Sequence, residues 1–236
     1  MKSFEVPFSG YTGRGVRVAM IDSGVNPAHP HVRGVAGGIR IGAGGTEAIG
    51  DYLDYCGHGT AVAGAIREKA PDALLYAVKV FDRRLTTNIG IIVKAIEWAV
   101  EHEMTVINLS LGTANPDHRE KLEEVVGRAA RNNIVIVAAH RLAGRLLLPG
   151  CFPEALGVEE DAECPRHSYN TSGSIDDPVF IASPYPRDIP GVPRERNLNG
   201  ISFAVANMSG IVTRAKEMLS DASVASLKRL LAAQGN

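Results

Sequence analysis

The chain has 236 residues, with 25 Lys and Arg against 26 Asp and Glu and a formal net charge of −1. Apolar residues make up 45% and charged residues 22%, which excludes wholesale disorder, and the near-neutral balance removes the electrostatic footprint of a nucleic-acid or anionic-membrane binder. The length suits one α/β domain over residues 1–236, and 25 glycines with 13 prolines exclude a plain helical bundle.

In chain order, residues 16–21 form a short apolar run rich in β-branched residues, directly after Gly13-Arg14-Gly15, and are predicted to be a strand. Residues 61–65, all small or β-branched, open a helix after Gly57-His58-Gly59-Thr60. Strands are predicted at 74–80, 105–109 and 134–139, the last almost wholly apolar, as a central parallel strand is. A helix over 88–101 places Ile89, Ile92, Val93, Ile96 and Val100 on one face. Asn115-Pro116-Asp117 has the form of a cap followed by Pro at the first helical position and opens a helix to about Arg131. A strand at 179–182 lies in the Pro-rich segment 176–199, which is otherwise a wandering loop, and helices follow at 202–219 and 222–233. Strands alternating with helices predict a three-layer α/β fold, a mostly parallel sheet with helices on both faces.

Residues 1–7 hold one basic residue and no apolar stretch, so no secretory signal is expected. No window approaches the ~18 apolar residues of a membrane span. Three cysteines, Cys56, Cys151 and Cys164, are too few and too odd in number for a disulfide framework. Together these predict a cytoplasmic protein. Cys151, Cys164 and His167 lack a fourth ligand for zinc, and Gly42-Ala43-Gly44-Gly45 lacks the spacing of a nucleotide loop, so no metal or nucleotide site is predicted.

Three residues stand at positions where chemistry collects. Asp22, in Ile21-Asp22-Ser23-Gly24, ends the first strand, the edge at which open α/β sheets bind ligands. Alone it reads as a turn aspartate. His58, flanked by Gly57 and Gly59, begins a helix, where a lone histidine is more often a cap or a surface residue. Ser202, in Gly200-Ile201-Ser202-Phe203-Ala204, also begins a helix, as an N-cap or as a nucleophile whose oxyanion the helix N-terminus would favour. Taken together their order is Asp, His, Ser, the order found in subtilisin and in no other common serine hydrolase fold.

The sequence resembles the subtilisin-like serine proteases, the subtilase family. The likeness is carried by Val18-Ala19-Met20-Ile21-Asp22-Ser23-Gly24-Val25, Gly57-His58-Gly59-Thr60-Ala61-Val62-Ala63-Gly64, Gly200-Ile201-Ser202-Phe203-Ala204 and Val106-Ile107-Asn108-Leu109-Ser110-Leu111-Gly112. It implies a subtilisin-like catalytic domain of compact, intracellular type and a serine endopeptidase with catalytic Asp22, His58 and Ser202. It also implies that Ser110, Leu111 and Gly112 bind an extended peptide substrate as an added strand, Gly112 leaving room for a side chain. By analogy with small subtilases that mature peptides, a dedicated precursor peptide is the expected partner. Calcium is common in the family, but Glu159-Glu160-Asp161 and Asp176-Asp177 have no ligand-loop spacing, so no cofactor is assigned. An α/β-hydrolase esterase is a poorer reading, because Gly-x-Ser-x-Gly is absent.

The likeness breaks at the oxyanion donor. Where the family has an Asn after the strand matching 134–139, this chain continues His140-Arg141, and Ile201 and Ala206-Asn207 replace the Thr before and the Pro-His after the nucleophile. Loss of one side-chain oxyanion donor costs about 10²–10³ in turnover, so weak activity is expected. Three accounts stand open: Arg141 donates, Asn199 or another loop amide replaces the missing group, or the protein is a degenerate subtilase that binds a peptide or partner without cleaving it.

Overall fold

A computed structural model describes residues 6–235. Residues 1–5, most of the stretch read for a secretory signal, lie outside the described residues, as does Asn236. The predicted strands form as β1 (Arg17–Asp22), β4 (Leu74–Lys79), β5 (Val106–Leu109), β6 (Val135–Ala139) and β11 (Pro178–Ala182). The helices are α1 (His58–Lys69), α2 (Ile89–Glu101), α3 (Arg119–Arg131), α4 (Ile201–Met218) and α5 (Val224–Gln234). Asn88 caps α2 by accepting the Ile91 N–H, and Ser223 caps α5 by accepting that of Ser226. Pro116–His118 forms one 3₁₀ turn before α3 begins.

Six further strands complete the fold: β2 (Gly37–Ile41), β3 (Glu47–Ile49), β7 (Arg141–Leu142), β8 (Arg145–Leu146), β9 (Ala155–Glu160) and β10 (Asn170–Gly173). Nine strands make one sheet in the order β10-β11-β9-β6-β5-β1-β4-β2-β3, parallel except for its two edge pairs, β10-β11 and β2-β3. In the antiparallel edge pairs β11 is read from the pattern, but β10, β2 and β3 escape it because they are short or polar, and β2 opens on Gly37-Gly38. β7 and β8 form a separate hairpin.

Alternation along the central strands sorts side chains into two cores. Val18 and Met20 of β1, with Val135 and Val137 of β6, pack under α1, α4 and α5. Ala19 and Ile21, with Ile136 and Ala138, pack under α2 and α3. Helices therefore cover both faces, as the alternating pattern predicts. α4 is buried almost all round and runs against α1 at Gly210, where a Cβ would lie 2.8 Å from that of Lys69 and 3.2 Å from the Ile66 carbonyl oxygen. The first turns of both helices lie at one end of the sheet, where His58 bonds Asp22 at the end of β1 and Ser202 bonds Ser110 just after β5. Among the described residues no helix is long and apolar enough to cross a membrane.

Candidate active site

β1 delivers Asp22 at its carboxyl end, 1% exposed. α1 begins on His58 itself, after Gly57 turns the chain with φ +79°. The imidazole Nδ1–H donates to Asp22 Oδ1 at 2.7 Å, and the Ser23 N–H donates to the same oxygen at 2.7 Å. This fixes the neutral ring with its lone pair on Nε2. Such an approach requires Gly59: a Cβ there would sit 2.1 Å from the Gly24 carbonyl oxygen and 3.1 Å from Asp22 Oδ1. Burial pulls the His58 pKa down, but the hydrogen bond and charge of Asp22, with the charge of Asp54 added, outweigh it and hold the imidazole above its usual 6.5.

Asp54 is the residue that sequence reasoning missed. Its Oδ1 accepts the Ser23 hydroxyl at 2.9 Å, the Cys56 N–H at 2.8 Å and the Gly57 N–H at 2.9 Å. Its Oδ2 accepts the Thr60 N–H at 2.9 Å and the Thr60 hydroxyl at 2.6 Å. Ser23 Oγ in turn accepts the Gly59 N–H at 3.0 Å. One carboxylate thus ties the exit of β1 to the first turn of α1, around His58. The signal was present in the sequence as an acid shortly before Gly57-His58-Gly59-Thr60, a spacing that lets a carboxylate cap the turn and helix behind it.

Ser202 lies in the first turn of α4, after Gly200 at φ +135°. Its hydroxyl donates to the Ser110 carbonyl at 3.0 Å. Phe203, the next residue, lies against the His58 ring with centroids 5.4 Å apart. A buried polar chain holds the Ser110 segment: Ser209 Oγ donates to Asn108 Oδ1 at 3.0 Å, and Asn108 Nδ2 donates to Ser110 Oγ at 2.7 Å. Leu111 and Gly112 continue into one wall of a 540 Å³ cavity whose other walls include Phe81, Ile92, Leu122 and Leu148. The glycine at 112 also serves packing, since a Cβ there would lie 3.0 Å from that of Leu147 and 3.2 Å from the Leu148 carbonyl oxygen.

Of the two candidate oxyanion side chains, Arg141 is engaged by other partners. Arg141 starts the β7-β8 hairpin, and its Nε donates to Glu159 Oε1 at 3.1 Å while Nη1 reaches the Gly144 carbonyl at 3.4 Å. His140 Nδ1 shares the same Glu159 oxygen at 2.8 Å. Burial pushes the Glu159 carboxyl up, but these two partners draw it below the usual range. Asn199 sits in the exposed turn before α4, its amide unbonded among the described residues. Of the acidic residues read for calcium, Glu159 is bonded by His140 and Arg141, and Asp176 and Asp177 face Arg229 and Lys228, at 3.5 Å and 3.3 Å. Among the described residues no three His, Cys, Asp or Glu side chains gather to hold a metal.

A sequence profile describing the subtilase family matches residues 13–140, more than half of the chain. The chain belongs to the subtilase family. Subtilisin E of Bacillus subtilis (strain 168) is 33% identical over 220 residues, covering 86% of this chain and 54% of that protein. Subtilisin of Bacillus pumilus is 33% identical over 220 residues, covering 74% of its length. The chain spans about half the length of the first of these curated relatives. Among solved structures, sphericase superposes with a TM-score of 0.73 at 23% identity, covering 92% of this chain and 82% of that one. That likeness shows a subtilisin-like fold. The profile match to this subtilase chain holds Asp22, Asp54, His58 and Ser110 but ends at His140, before Arg141 and Ser202.

Proposed function

We propose that the chain is a serine endopeptidase of the subtilase type, acting through Asp22, His58 and Ser202 on an extended peptide. The observation that carries the reading is the 2.7 Å bond from His58 Nδ1 to a buried Asp22, which leaves Nε2 free as a base beside the helix start that bears Ser202. Rotation of the Ser202 hydroxyl away from the Ser110 carbonyl lets it donate to Nε2, the kind of tightening expected when substrate binds. Ser202 Oγ then bonds to the scissile carbonyl carbon as its proton passes to His58. The C–N bond breaks as that proton moves to the leaving amine, and water repeats the sequence to free the acid. The N–H groups of Ile201 and Ser202 have no backbone acceptor among the described residues, so both can face the oxyanion at the helix N-terminus. The apolar cavity beside Leu111 suits an apolar side chain on the acyl half of the peptide. A dedicated precursor peptide in a reducing cytoplasm is part of this proposal; three free thiols, one of them exposed, support the compartment.

A second reading, a peptide-binding subtilase without turnover, is favoured by one observation: the Ser202 hydroxyl donates to Ser110 instead of His58. An active-site serine phosphonate separates the two. Covalent labelling, read by mass spectrometry, is expected on the wild type and absent from Ser202→Ala; a wild type that neither labels nor cleaves peptides leaves only the binding role. Because Glu159 and Gly144 hold the Arg141 guanidinium, Arg141→Ala is expected to change the labelling rate by no more than about threefold. A hundredfold fall, of the size of a lost oxyanion donor, would instead make Arg141 that donor.

A further inference from the structure

A second hollow, of 280 Å³, lies between the first turn of α1 and the segment leading to α4. Its walls include His29, His31, Thr60, Ala61, Ile189 and Leu198. Thr60 and Ala61 follow His58 on α1, and Leu198 precedes Ser202, so this hollow flanks the candidate triad and shares no lining residue with the Leu111–Gly112 cavity. A peptide with its acyl half along Ser110–Gly112 must release its amine half past His58, which hands the proton to the leaving nitrogen. The hollow is the space that this half would enter.

Its charges are unevenly satisfied. Asp54 also lines it but already accepts five hydrogen bonds. His31 is held below its usual pKa, first by burial and then by the charge of Arg187, so the imidazole stays neutral near pH 7. Arg187 lies half-buried where this hollow meets a smaller one of 190 Å³ that also touches Arg33, Arg67 and Glu68. Glu68 is taken by Lys69 and Arg166, and Asp188 by Arg166. Arg67 is satisfied by the carbonyls of Val32, Gly34, Pro71 and Ala73. Among the described residues no carboxylate lies within ion-pair distance of Arg187. A half-buried guanidinium at a hollow's rim, with cations around it and no counter-ion, is a ready partner for a carboxylate.

We propose that Arg187 is a specificity-determining residue that receives a carboxylate on the leaving half of the peptide, beyond a first residue whose side chain packs on Ala61, Ile189 and Leu198. The polarity of this assignment, which half lies where, rests on the peptidase reading; the recognition itself does not need turnover. The carboxylate could be an acidic side chain or the peptide's own C-terminus. Short fluorescein-labelled peptides distinguish the sources: one with Glu in the second and third leaving positions and an amidated end, one with Gln there and an amidated end, and one with Gln there and a free C-terminus. Binding to the Ser202→Ala protein, followed by fluorescence polarisation, is expected to favour a carboxylate-bearing peptide over the amidated Gln peptide by about tenfold, a partly buried charge-assisted pair's contribution. The preference should shrink as salt screens it, and Arg187→Glu should reverse it in favour of a Lys peptide. Equal affinities of all three peptides for Ser202→Ala would overturn the proposal even if the wild type labels and cleaves. Conversely, a carboxylate preference in a protein that never labels would uphold Arg187 and defeat the peptidase reading alone.

Discussion

Replacing Asp22 by Asn is expected to lower kcat/KM by about 10⁴, the cost of leaving a triad imidazole in the wrong tautomer. The geometry explains why so small a change is severe. Asp22 Oδ1 accepts two N–H groups, from His58 and Ser23, while Oδ2 is buried with no partner among the described residues. An Asn that keeps its oxygen toward His58 buries an NH₂ where nothing accepts it, at about 1–3 kcal/mol. Flipped, it aims that NH₂ at two donors and forces the proton onto Nε2, which can then no longer take one from Ser202. The pH profile adds a second signature. A general base must be neutral, so wild-type activity should rise with pH through a His58 pKa above 6.5; in Asp22→Asn burial is left largely unopposed and the acid limb should move lower. The stability linkage has the opposite sense. Because the folded pKa is raised, the His58–Asp22 pair stabilises fully below the unfolded value near 6.5 and loses that contribution as pH climbs through the folded value. Thermal unfolding across this window should therefore show Asp22→Asn most destabilised on the acid side. A profile and an unfolding curve that both matched the wild type would remove Asp22 from the mechanism.

The elements that carry Asp22, His58 and Ser202 are legible in the sequence for a simple reason. β1, β5 and β6 are buried on both faces and read as apolar runs, and the glycines at 57, 59 and 200 mark backbone that must turn or approach closely. What stays hidden is set by contacts between segments far apart in the chain. Nothing local says that Arg141 will be drawn to Glu159, because that pairing depends on β9 lying beside β6. Edge strands such as β10, Asn170–Gly173, have too little apolar alternation to stand out. Arg187 lies in a Pro-rich loop held by hydrogen bonds from residues beyond it, Asn207 Nδ2 to the Tyr185 carbonyl and Asn197 Nδ2 to the Arg187 carbonyl, and no periodicity marks it. Asp54 falls between these cases: its cap spacing is local, but its bond to Ser23 joins two elements that only the fold brings together.

Asp54→Ala is expected to lower kcat/KM by about 10², the cost of an imidazole displaced by ~1 Å, and to destabilise the protein by about 3 kcal/mol from lost charge-assisted bonds. The loss is uneven. Cys56 and Gly57 are exposed, so water can replace the carboxylate on their N–H groups. Thr60 is 7% exposed, and both of its donors lose the Asp54 oxygen that accepts them. Asp54→Asn should fall between wild type and Ala. Its oxygen can keep the three Oδ1 bonds, but its NH₂ would face the Thr60 N–H and hydroxyl. Two effects are mixed in either variant, one positional and one electrostatic, and salt separates them. Asp54's charge helps raise the His58 pKa, so removing it should shift the acid limb of the pH profile downward. That shift should narrow at high ionic strength, where the wild type loses the same long-range help. The fall in the pH-independent plateau should not narrow, because hydrogen bonds that aim a helix's first turn are not screened. A plateau that recovered in salt would make Asp54 only a charge; a limb that never moved would make it only a clamp.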